Sequence, residues 1–350
     1  MRFATCLLVS LLAGSVACSA ELSGDPGDSS DPSGESLEGL TAEDAEVRAE
    51  RILREANARR TDFEPEENAT RAAASEGSAT AGGPLPLAPA QIGQVGLRTL
   101  TDDARAALGL GTWGFRFVVV PVGASAPRRV LSESGTSTKL MGASTFKMFT
   151  AWTAFKTGST GHNTLTLMLR ASKNPLANLA MCQNGEKLRG YDAPCVARTN
   201  ATTSMRFKDA IPATRAHLVA ENVAFSSLFT QRDGSGLDPA NVLTVDDLTS
   251  LLDDINTDAK RSEFLNMLAQ PGVASTLETR FPGLEGKLFA KTGTYFEDGG
   301  GVKSLAGMVD LGGGSTLLFV VVGNGVGDPK KALDRIETVV RLNIAAASPQ

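Results

Sequence analysis

From residue 115 onward, the hydrophobic positions of the chain follow two different periods. Short apolar runs at 115–122 (FRFVVVPV) and 130–134 (VLSES) are separated by a polar stretch and predict a β-hairpin. Residues 144 to about 280 show mostly helical spacing, with breaks at Gly, Pro and Asn. The C-terminal part predicts three strands and a final amphipathic helix, at 287–294, 302–311, 315–324 and from Pro329, with a turn at Gly312-Gly313-Gly314 between the last two strands.

This order of elements predicts an α+β fold of the α/β-sandwich kind. Strands from both ends of the domain would form one antiparallel five-stranded sheet, flanked by helices because each apolar sheet face has to be covered. The helical region between the second and third strands would form an additional helical lobe. We place this domain at residues 91–350.

The segment before this domain has a different character. Residues 1–18 combine a basic start, an apolar run, small residues and Cys18, as in a lipoprotein-like signal peptide. The apolar run is too short to span a bilayer. We therefore expect export to the periplasm or cell envelope and membrane anchoring through lipidated Cys18, with ordinary signal cleavage as the alternative. Residues 19–90 are rich in Ser, Gly, Pro and acidic residues and predict a disordered acidic tether with a marginal short helix.

Composition adds mainly exclusions. A net charge of -5 argues against a nucleic-acid partner, because such proteins usually present a basic face. His162 and His217 lie far apart without Cys or acidic neighbours at ligand spacing, so we expect no metal site. Only Cys182 and Cys195 lie in the exported body, and an even pair there predicts a disulfide between them, two free thiols being the alternative.

The first candidate site is the segment 142–155 (GASTFKMFTAWTAF), where Ser144 and Lys147 stand three residues apart at the start of a predicted helix. That spacing puts both side chains on one side of the helix. A serine hydroxyl becomes a good nucleophile when a base takes its proton, and a lysine is such a base when burial or a second cation lowers its pKa. The pattern alone is weak evidence, since a helix-capping serine beside an exposed lysine matches it too.

The second candidate is Ser172-Lys173-Asn174, which interrupts an apolar helical pattern just before Pro175. A proline at this place favours a turn ahead of a new helix. Such a turn would present the Ser172 hydroxyl and the Asn174 carboxamide together. By itself the pattern has little specificity, because a helix cap looks the same.

The third candidate is the end of an apolar strand, where Lys291, Thr292, Gly293 and Thr294 follow each other. A glycine lets another chain approach the strand closely. The two hydroxyls and the ammonium group would suit a substrate carboxylate. On its own, this segment is equally a strand end that leads into a polar loop.

The three patterns occur in the order and context of the motif set known from penicillin-binding proteins and class A β-lactamases. Over residues 115–340 the chain resembles the class C low-molecular-mass penicillin-binding proteins, the D-alanyl-D-alanine carboxypeptidase/endopeptidase family. The stretch DGSGL at 233–237 is the most family-specific further similarity. Family members usually carry large domains inserted between the first two motifs, so this chain resembles a minimal form without them. Lys173 also stands where Asp or Tyr is more usual.

The resemblance implies a β-lactamase/transpeptidase-like fold and a serine hydrolase that needs no cofactor. Its substrates would be peptidoglycan stem peptides or D-Ala cross-links, and β-lactams would be inhibitors. By motif, the catalytic residues are Ser144, Lys147 and Ser172. The substrate-binding residues carried over in the same way are Asn174, Lys291, Thr292, Gly293 and Thr294.

The implied mechanism begins with attack by Ser144 after Lys147 has taken its proton, and the charge of nearby Lys291 is expected to keep Lys147 partly neutral. Ser172 would relay a proton to the leaving D-alanine. One alternative is a β-lactamase, which needs a glutamate to activate water, and Glu221 is the best candidate for that residue. Another is a non-catalytic lipoprotein that binds the cell wall or senses β-lactams.

Overall fold

The structure is a computed structural model that describes residues 94–190, 205–296 and 300–347, with only the backbone given for 94–97 and 205–208. The predicted signal peptide (1–18) with Cys18, the predicted acidic tether (19–90) and Cys195 lie outside the described residues. The interpretations of those segments therefore stay predictions. No helix in the described ranges is long and apolar enough to cross a membrane.

One antiparallel sheet of five strands forms the centre of the domain. Across the sheet the strands lie in the order β2-β1-β5-β4-β3. The predicted α+β class with a five-stranded antiparallel sheet is confirmed. The strands are β1 (Thr112–Pro121), β2 (Arg129–Ser134), β3 (Leu288–Tyr295), β4 (Val302–Gly312) and β5 (Ser315–Asn324).

Strand β5 joins the two ends of the domain because it pairs with β1 on one side and β4 on the other. The tight β4–β5 connection depends on glycine. Gly312, Gly313 and Gly314 have φ values of 76°, 59° and 75°, in the left-handed region that side chains with a Cβ rarely adopt. The predicted turn at these three glycines is thus confirmed. On its other side β4 pairs with β3, which lies at one edge of the sheet.

Eight α-helices are described, and they cover both faces of the sheet or form the lobe. Helices α1 and α8 pack on one face, against a core that includes Phe117, Phe319 and Ile336. The opposite face packs on α2 and α6. The helices are α1 (Gln94–Leu108), α2 (Lys147–Thr157), α3 (His162–Arg170), α4 (Asn174–Arg189), α5 (Met205–Ala220), α6 (Val245–Thr257), α7 (Arg261–Leu265) and α8 (Pro329–Ala347).

Helix α2 lies in the interior of the domain, and every residue from Lys147 to Phe155 is buried. Aromatic rings surround it: Phe149 packs edge-on against Phe229 with 5.1 Å between ring centroids, and Trp152 packs against Phe264 in the same way. Contacts of this kind add to the free energy of apolar burial. The start of α2 is therefore held by a dense core, which suits an element that has to place reactive groups.

Candidate active site

Ser144 lies in a single 3-10 turn, Ala143–Phe146, and α2 begins only at Lys147. The sequence predicts a helix start here, and the tighter turn is a refinement of that prediction. Ala143 has φ 47°, a strained value for a residue with a Cβ. The Ser144 hydroxyl accepts a hydrogen bond of 2.7 Å from Lys147 Nζ, so the two residues of the first motif are in direct contact.

The turn that carries Ser144 is pressed against the edge strand β3. A Cβ placed on Gly293 would lie 2.1 Å from Ser304 Oγ, 2.7 Å from the Gly142 carbonyl oxygen and 3.1 Å from the Ser144 nitrogen. Ser304 Oγ also donates a hydrogen bond of 2.7 Å to Gly142 O. Glycine at 293 is thus required because backbone and strand approach more closely than any side chain permits.

Lys147 is completely buried, and its ammonium group has three acceptors. Besides Ser144 Oγ, they are Asn174 Oδ1 at 2.7 Å and the Ser235 carbonyl oxygen at 2.9 Å. Burial lowers the pKa of Lys147 to about 7, and the negative charge of Asp233 opposes this by raising it. The expected repulsion between Lys147 and Lys291 is present and lowers the pKa of Lys291, but it is not the main cause of the Lys147 shift. The dominant cause is loss of water around Nζ, which disfavours the charged form.

The second motif forms one turn that serves both lysines. Ser172 has a left-handed φ of 57°, and its Oγ accepts a hydrogen bond of 2.9 Å from Lys291 Nζ. Two residues later, Asn174 begins α4 and accepts from Lys147. Lys173 is exposed between them, so the unusual residue in the middle of this motif points away from the site. The structure therefore brings the first two motifs together around two ammonium groups.

Lys291 is completely buried on β3. Its Nζ donates to Ser172 Oγ and, at 2.8 Å, to the Thr292 carbonyl oxygen. Burial lowers the pKa of Lys291 well below its ordinary value, and the charges of Lys147 and Lys303 lower it further. Any anion that binds next to these three lysines would stabilise their protonated forms.

The hydroxyls of the third motif have partners that the sequence did not indicate. Thr292 Oγ1 donates to Thr276 Oγ1 at 2.8 Å. Thr294 Oγ1 accepts a hydrogen bond of 2.7 Å from Lys303 Nζ. Lys303 is 7% exposed, and burial lowers its pKa to about 8, helped by the charge of Arg280. All the residues of the three motifs thus adjoin one another, and their roles remain predictions.

Sequence reasoning missed two members of this site. Lys303 could have been noticed, because it is a charged residue at the start of the long apolar part of β4, far from the exposed Asp310 at the other end. Asp233 belongs to the stretch DGSGL, which was noted for its resemblance but given no chemical role. Its carboxylate acts on Lys147 from the loop that follows α5. Nothing in the local sequence indicates that this loop reaches α2.

Glu221, the glutamate considered for a β-lactamase, lies elsewhere. It forms an ion pair of 2.7 Å with Lys156, whose Nζ also bonds Asp258 at 2.5 Å. Lys156 stands nine residues after Lys147 on α2, roughly 13 Å along the helix axis. Glu221 is therefore bound at the far end of α2 and cannot activate a water at Ser144.

Cys182 is disulfide-bonded and buried on α4. The partner proposed from the sequence, Cys195, lies outside the described residues. One half of the predicted bridge is thus in place, and the Cys182–Cys195 pairing stays a prediction.

Part of the chain is similar to a known protein family. The family model of the D-Ala-D-Ala carboxypeptidase 3 (S13) family matches residues 193–345. This confirms the resemblance to low-molecular-mass penicillin-binding proteins for the part of the chain that contains Asp233, Lys291 and Lys303. Ser144, Lys147 and Ser172 precede the matched range, so their assignment depends on the geometry above. No curated protein matches the chain.

Solved structures with similarity to the chain include penicillin-binding proteins and β-lactamases. Penicillin-binding protein 4 of Haemophilus influenzae is 22% identical, with a TM-score of 0.41. The alignment covers 51% of this chain and 38% of that protein, so the chain spans about two fifths of its length. A β-lactamase of Chitinophaga pinensis is 14% identical, with a TM-score of 0.44, over 73% of this chain and 99% of that one.

Proposed function

We propose that this chain, which is similar to the D-Ala-D-Ala carboxypeptidase 3 (S13) family over residues 193–345, is a serine hydrolase of peptidoglycan. It would cleave the terminal D-Ala of stem peptides, or D-Ala cross-links, through a Ser144 acyl-enzyme. The observation that carries the proposal is the hydrogen bond of 2.7 Å between Lys147 Nζ and Ser144 Oγ. A hydroxyl in contact with a buried amine of lowered pKa is the pair that nucleophilic catalysis needs.

In the first step, Lys147 acts as general base. With a pKa of about 7, roughly half of the Lys147 amines are neutral at neutral pH, and these can take the Ser144 proton. The Ser144 oxygen then attacks the carbonyl carbon of the penultimate D-alanine. We assign the oxyanion to the backbone N–H groups of Ser144 and Thr294. Such a donor typically contributes about 3–4 kcal/mol to transition-state stabilisation.

Collapse of the tetrahedral intermediate breaks the peptide bond. The leaving D-alanine nitrogen needs a proton, and the one that Lys147 removed from Ser144 is available to it. We assign the transfer to Ser172, which gives its own hydroxyl proton to the leaving nitrogen and regains one from Lys147; its Oγ accepts a hydrogen bond of 2.9 Å from Lys291 Nζ, which leaves the hydroxyl hydrogen free to donate. Water then attacks the Ser144 ester, which releases the shortened peptide and restores the serine hydroxyl. Asn174 would hold a substrate amide during these steps.

The substrate carboxylate would bind at the third motif. Lys291, Thr292 and Thr294 supply an ammonium group and two hydroxyls there, and Lys303 adds a second cation behind Thr294. These buried lysines have lowered pKa values, and a carboxylate bound beside them would supply a negative charge that stabilises their protonated forms. This requirement for an anion favours peptides with a free terminal carboxylate and β-lactams that carry one.

We further propose that penicillins acylate Ser144. The Haemophilus influenzae protein has been solved in a complex with a β-lactam. The strained β-lactam amide would react as the peptide does, and the acyl group would leave slowly.

We also propose export and lipid anchoring at Cys18, for which the sequence is the support. Palmitate should label the wild-type chain, and no label on wild type would contradict the anchor.

Labelled penicillin tests the central proposal. The purified protein should gain one equivalent of penicillin mass, on the peptide that contains Ser144. Ser144→Ala should abolish the adduct, whereas Ser134→Ala, a serine on β2, should not. An adduct that persists in Ser144→Ala would refute the nucleophile assignment.

Incubation with muropeptides should yield products that have lost one D-alanine or a cross-link, and fast nitrocefin turnover would instead favour the β-lactamase.

A further inference from the structure

The loop Asp233–Gly236 lies directly behind the general base, and the mechanism above gives it no role. In this loop, the backbone carbonyl oxygen of Ser235 accepts a hydrogen bond from the Lys147 ammonium group. From the geometry we infer that Asp233 is a positioning residue for Lys147. It shapes the loop that carries this carbonyl, and its carboxylate supplies the counter-charge that keeps Lys147 basic enough to act. The inference is conditional on the proposed function, in which Lys147 is the base.

The carboxylate of Asp233 organises the loop from inside. Oδ1 accepts hydrogen bonds from the Gly236 N–H at 2.7 Å and from Asn241 Nδ2 at 2.9 Å. Oδ2 accepts from Ser235 Oγ at 2.6 Å. Asp233 is 5% exposed, so these three bonds replace the water that a carboxylate would otherwise bind. The result is a loop whose shape depends on one buried acid.

Two glycines let this loop dock between the start of α2 and helix α4. A Cβ on Gly236 would lie 2.0 Å from the Ala143 carbonyl oxygen, and one on Gly234 would lie 2.2 Å from the Ala177 carbonyl oxygen. The Gly234 N–H also donates to Asn178 Oδ1 at 3.0 Å. The sequence DGSG is thus explained by the site: an acid to fold the loop, and glycines to bring it against the nucleophile turn.

The charges that face Lys147 come from two elements. Lys291 faces it from β3, and Lys303 and Arg280 lie beyond Lys291. Asp233 faces it from the loop and raises its pKa, while burial lowers that pKa to about 7. A buried lysine with cations on one side only would lose its proton at a lower pH and become a weaker base. The Asp233 charge therefore counteracts burial in setting the basicity of Lys147.

If Asp233 acts through its charge, replacing it should shift the pKa of Lys147 in one direction. If Asp233 acts only through the shape of the loop, the shift should be in the opposite direction. Replacing Asp233 by Asn keeps the size of the side chain and removes the charge, so the pKa of Lys147 should fall by roughly one unit. A loop that is only loosened would admit water to Nζ, and relief from burial would raise that pKa instead. The direction of the shift therefore separates the two.

The test uses two independent readouts on the purified protein. The first is the midpoint of the acidic limb in the pH profile of Ser144 acylation by benzylpenicillin. The second is the pH titration of the Lys147 Nζ resonance in 15N-lysine-labelled protein, assigned with Lys147→Arg. In Asp233→Asn both midpoints should lie below the wild-type value. Unchanged or raised midpoints would overturn the inference.

Two further variants make the result unambiguous. Asp233→Glu keeps the charge and should return the midpoint towards the wild-type value even where the acylation rate stays low. Ser235→Ala removes one donor to Asp233 but neither the carboxylate nor the carbonyl, so its midpoint should not fall. A lowered midpoint in Ser235→Ala would contradict the inference even if Asp233→Asn does not fold. Absence of wild-type acylation would refute the proposed function, whereas the Nζ titration would still test the charge effect.

Discussion

Lys303 Nζ on β4 and Thr294 Oγ1 on β3, the strand that carries the third motif, lie 2.7 Å apart. The two residues are register partners in the β3–β4 ladder. A cation from the neighbouring strand thus supports a hydroxyl of the motif strand. Because Lys303 is buried and its hydroxyl partner carries no charge, we propose that it helps to recognise the carboxylate of the substrate in the proposed reaction.

Replacing Lys303 by Met should weaken reactions of anionic ligands only. Acylation of Ser144 by benzylpenicillin should slow by about ten- to a hundredfold, since a charge-assisted contact is worth about 1.5–3 kcal/mol. Acylation by benzylpenicillin methyl ester, which lacks the carboxylate, should change less than about twofold. Intact-protein mass over time gives both rates.

Two lysine variants serve as controls for this measurement. Lys303→Arg keeps the positive charge and should retain most of the preference for the acid over the ester. Lys287→Met removes an exposed lysine just before β3 and should leave both rates unchanged. Equal losses for acid and ester in Lys303→Met would show that the residue serves only the packing of β4.

The acylation rate should rise with pH as Lys147 loses its proton and fall with pH as Lys303 loses its proton. The neutral form of Lys147 is the base, so the rate should rise with pH and reach half its maximum near the Lys147 pKa of about 7. The protonated form of Lys303 binds the carboxylate, so for benzylpenicillin the rate should fall again above its pKa of about 8. For the methyl ester only the rise should be seen. A flat profile between pH 5 and 8 would exclude Lys147 as the base.

Replacing Gly293 by Ala should abolish acylation while the fold is kept. The added Cβ would lie 2.1 Å from Ser304 Oγ and 2.7 Å from the Gly142 carbonyl, so the Ser144 turn has to move away from β3. A shift of this size disrupts catalytic alignment and can slow the reaction a hundredfold or more. Circular dichroism checks the fold, and penicillin labelling checks the activity.

Gly158→Ala is a matched control for that substitution. Gly158 ends α2 with φ 62° and has no atom near its missing Cβ. A left-handed alanine there should lower the free energy of unfolding by about 1 kcal/mol and leave labelling unchanged. If Gly293→Ala were acylated at the wild-type rate, the close approach of the Ser144 turn to β3 would be irrelevant to function.

Lys147→Met should abolish acylation and stabilise the fold. The unfolded chain binds a proton at Lys147 up to its ordinary pKa of 10.5, whereas the folded chain releases it above about 7. Unfolding therefore takes up a proton between these values, and this lysine lowers stability most below about pH 7 and least above pH 10.5. At about 1.4 kcal/mol per pKa unit, offset by the lost hydrogen bonds, we expect a gain of a few kcal/mol at pH 7.

Urea unfolding at several pH values measures this effect. The difference in unfolding free energy between Lys147→Met and wild type should shrink steadily from pH 7 to pH 10. A difference that does not depend on pH would mean that packing, and not the protonation of Lys147, determines it.

Much of the fold could be read from periodicity alone. The strand predicted at 315–324 has those bounds in the structure, the hairpin and the glycine turn are confirmed, and the last helix begins at Pro329 as expected. These elements are encoded locally, because alternation and helical spacing reflect which side of each element is buried. The order of the three motifs likewise placed Ser144, Lys147, Ser172, Asn174 and Lys291 in one candidate site.

What only the tertiary structure decided is the electrostatic environment of that site. The charge of Asp233 acts on Lys147 from a distant loop, and Lys303 donates a hydrogen bond to Thr294 from the next strand. From the sequence, either burial or a second cation such as Lys291 could lower the pKa of Lys147, and the structure shows that burial of Nζ is the main cause. Burial and charge proximity depend on contacts between residues far apart in the chain. The sequence therefore determined which groups are present, and the packing of the folded domain determined which of them are charged and what they touch.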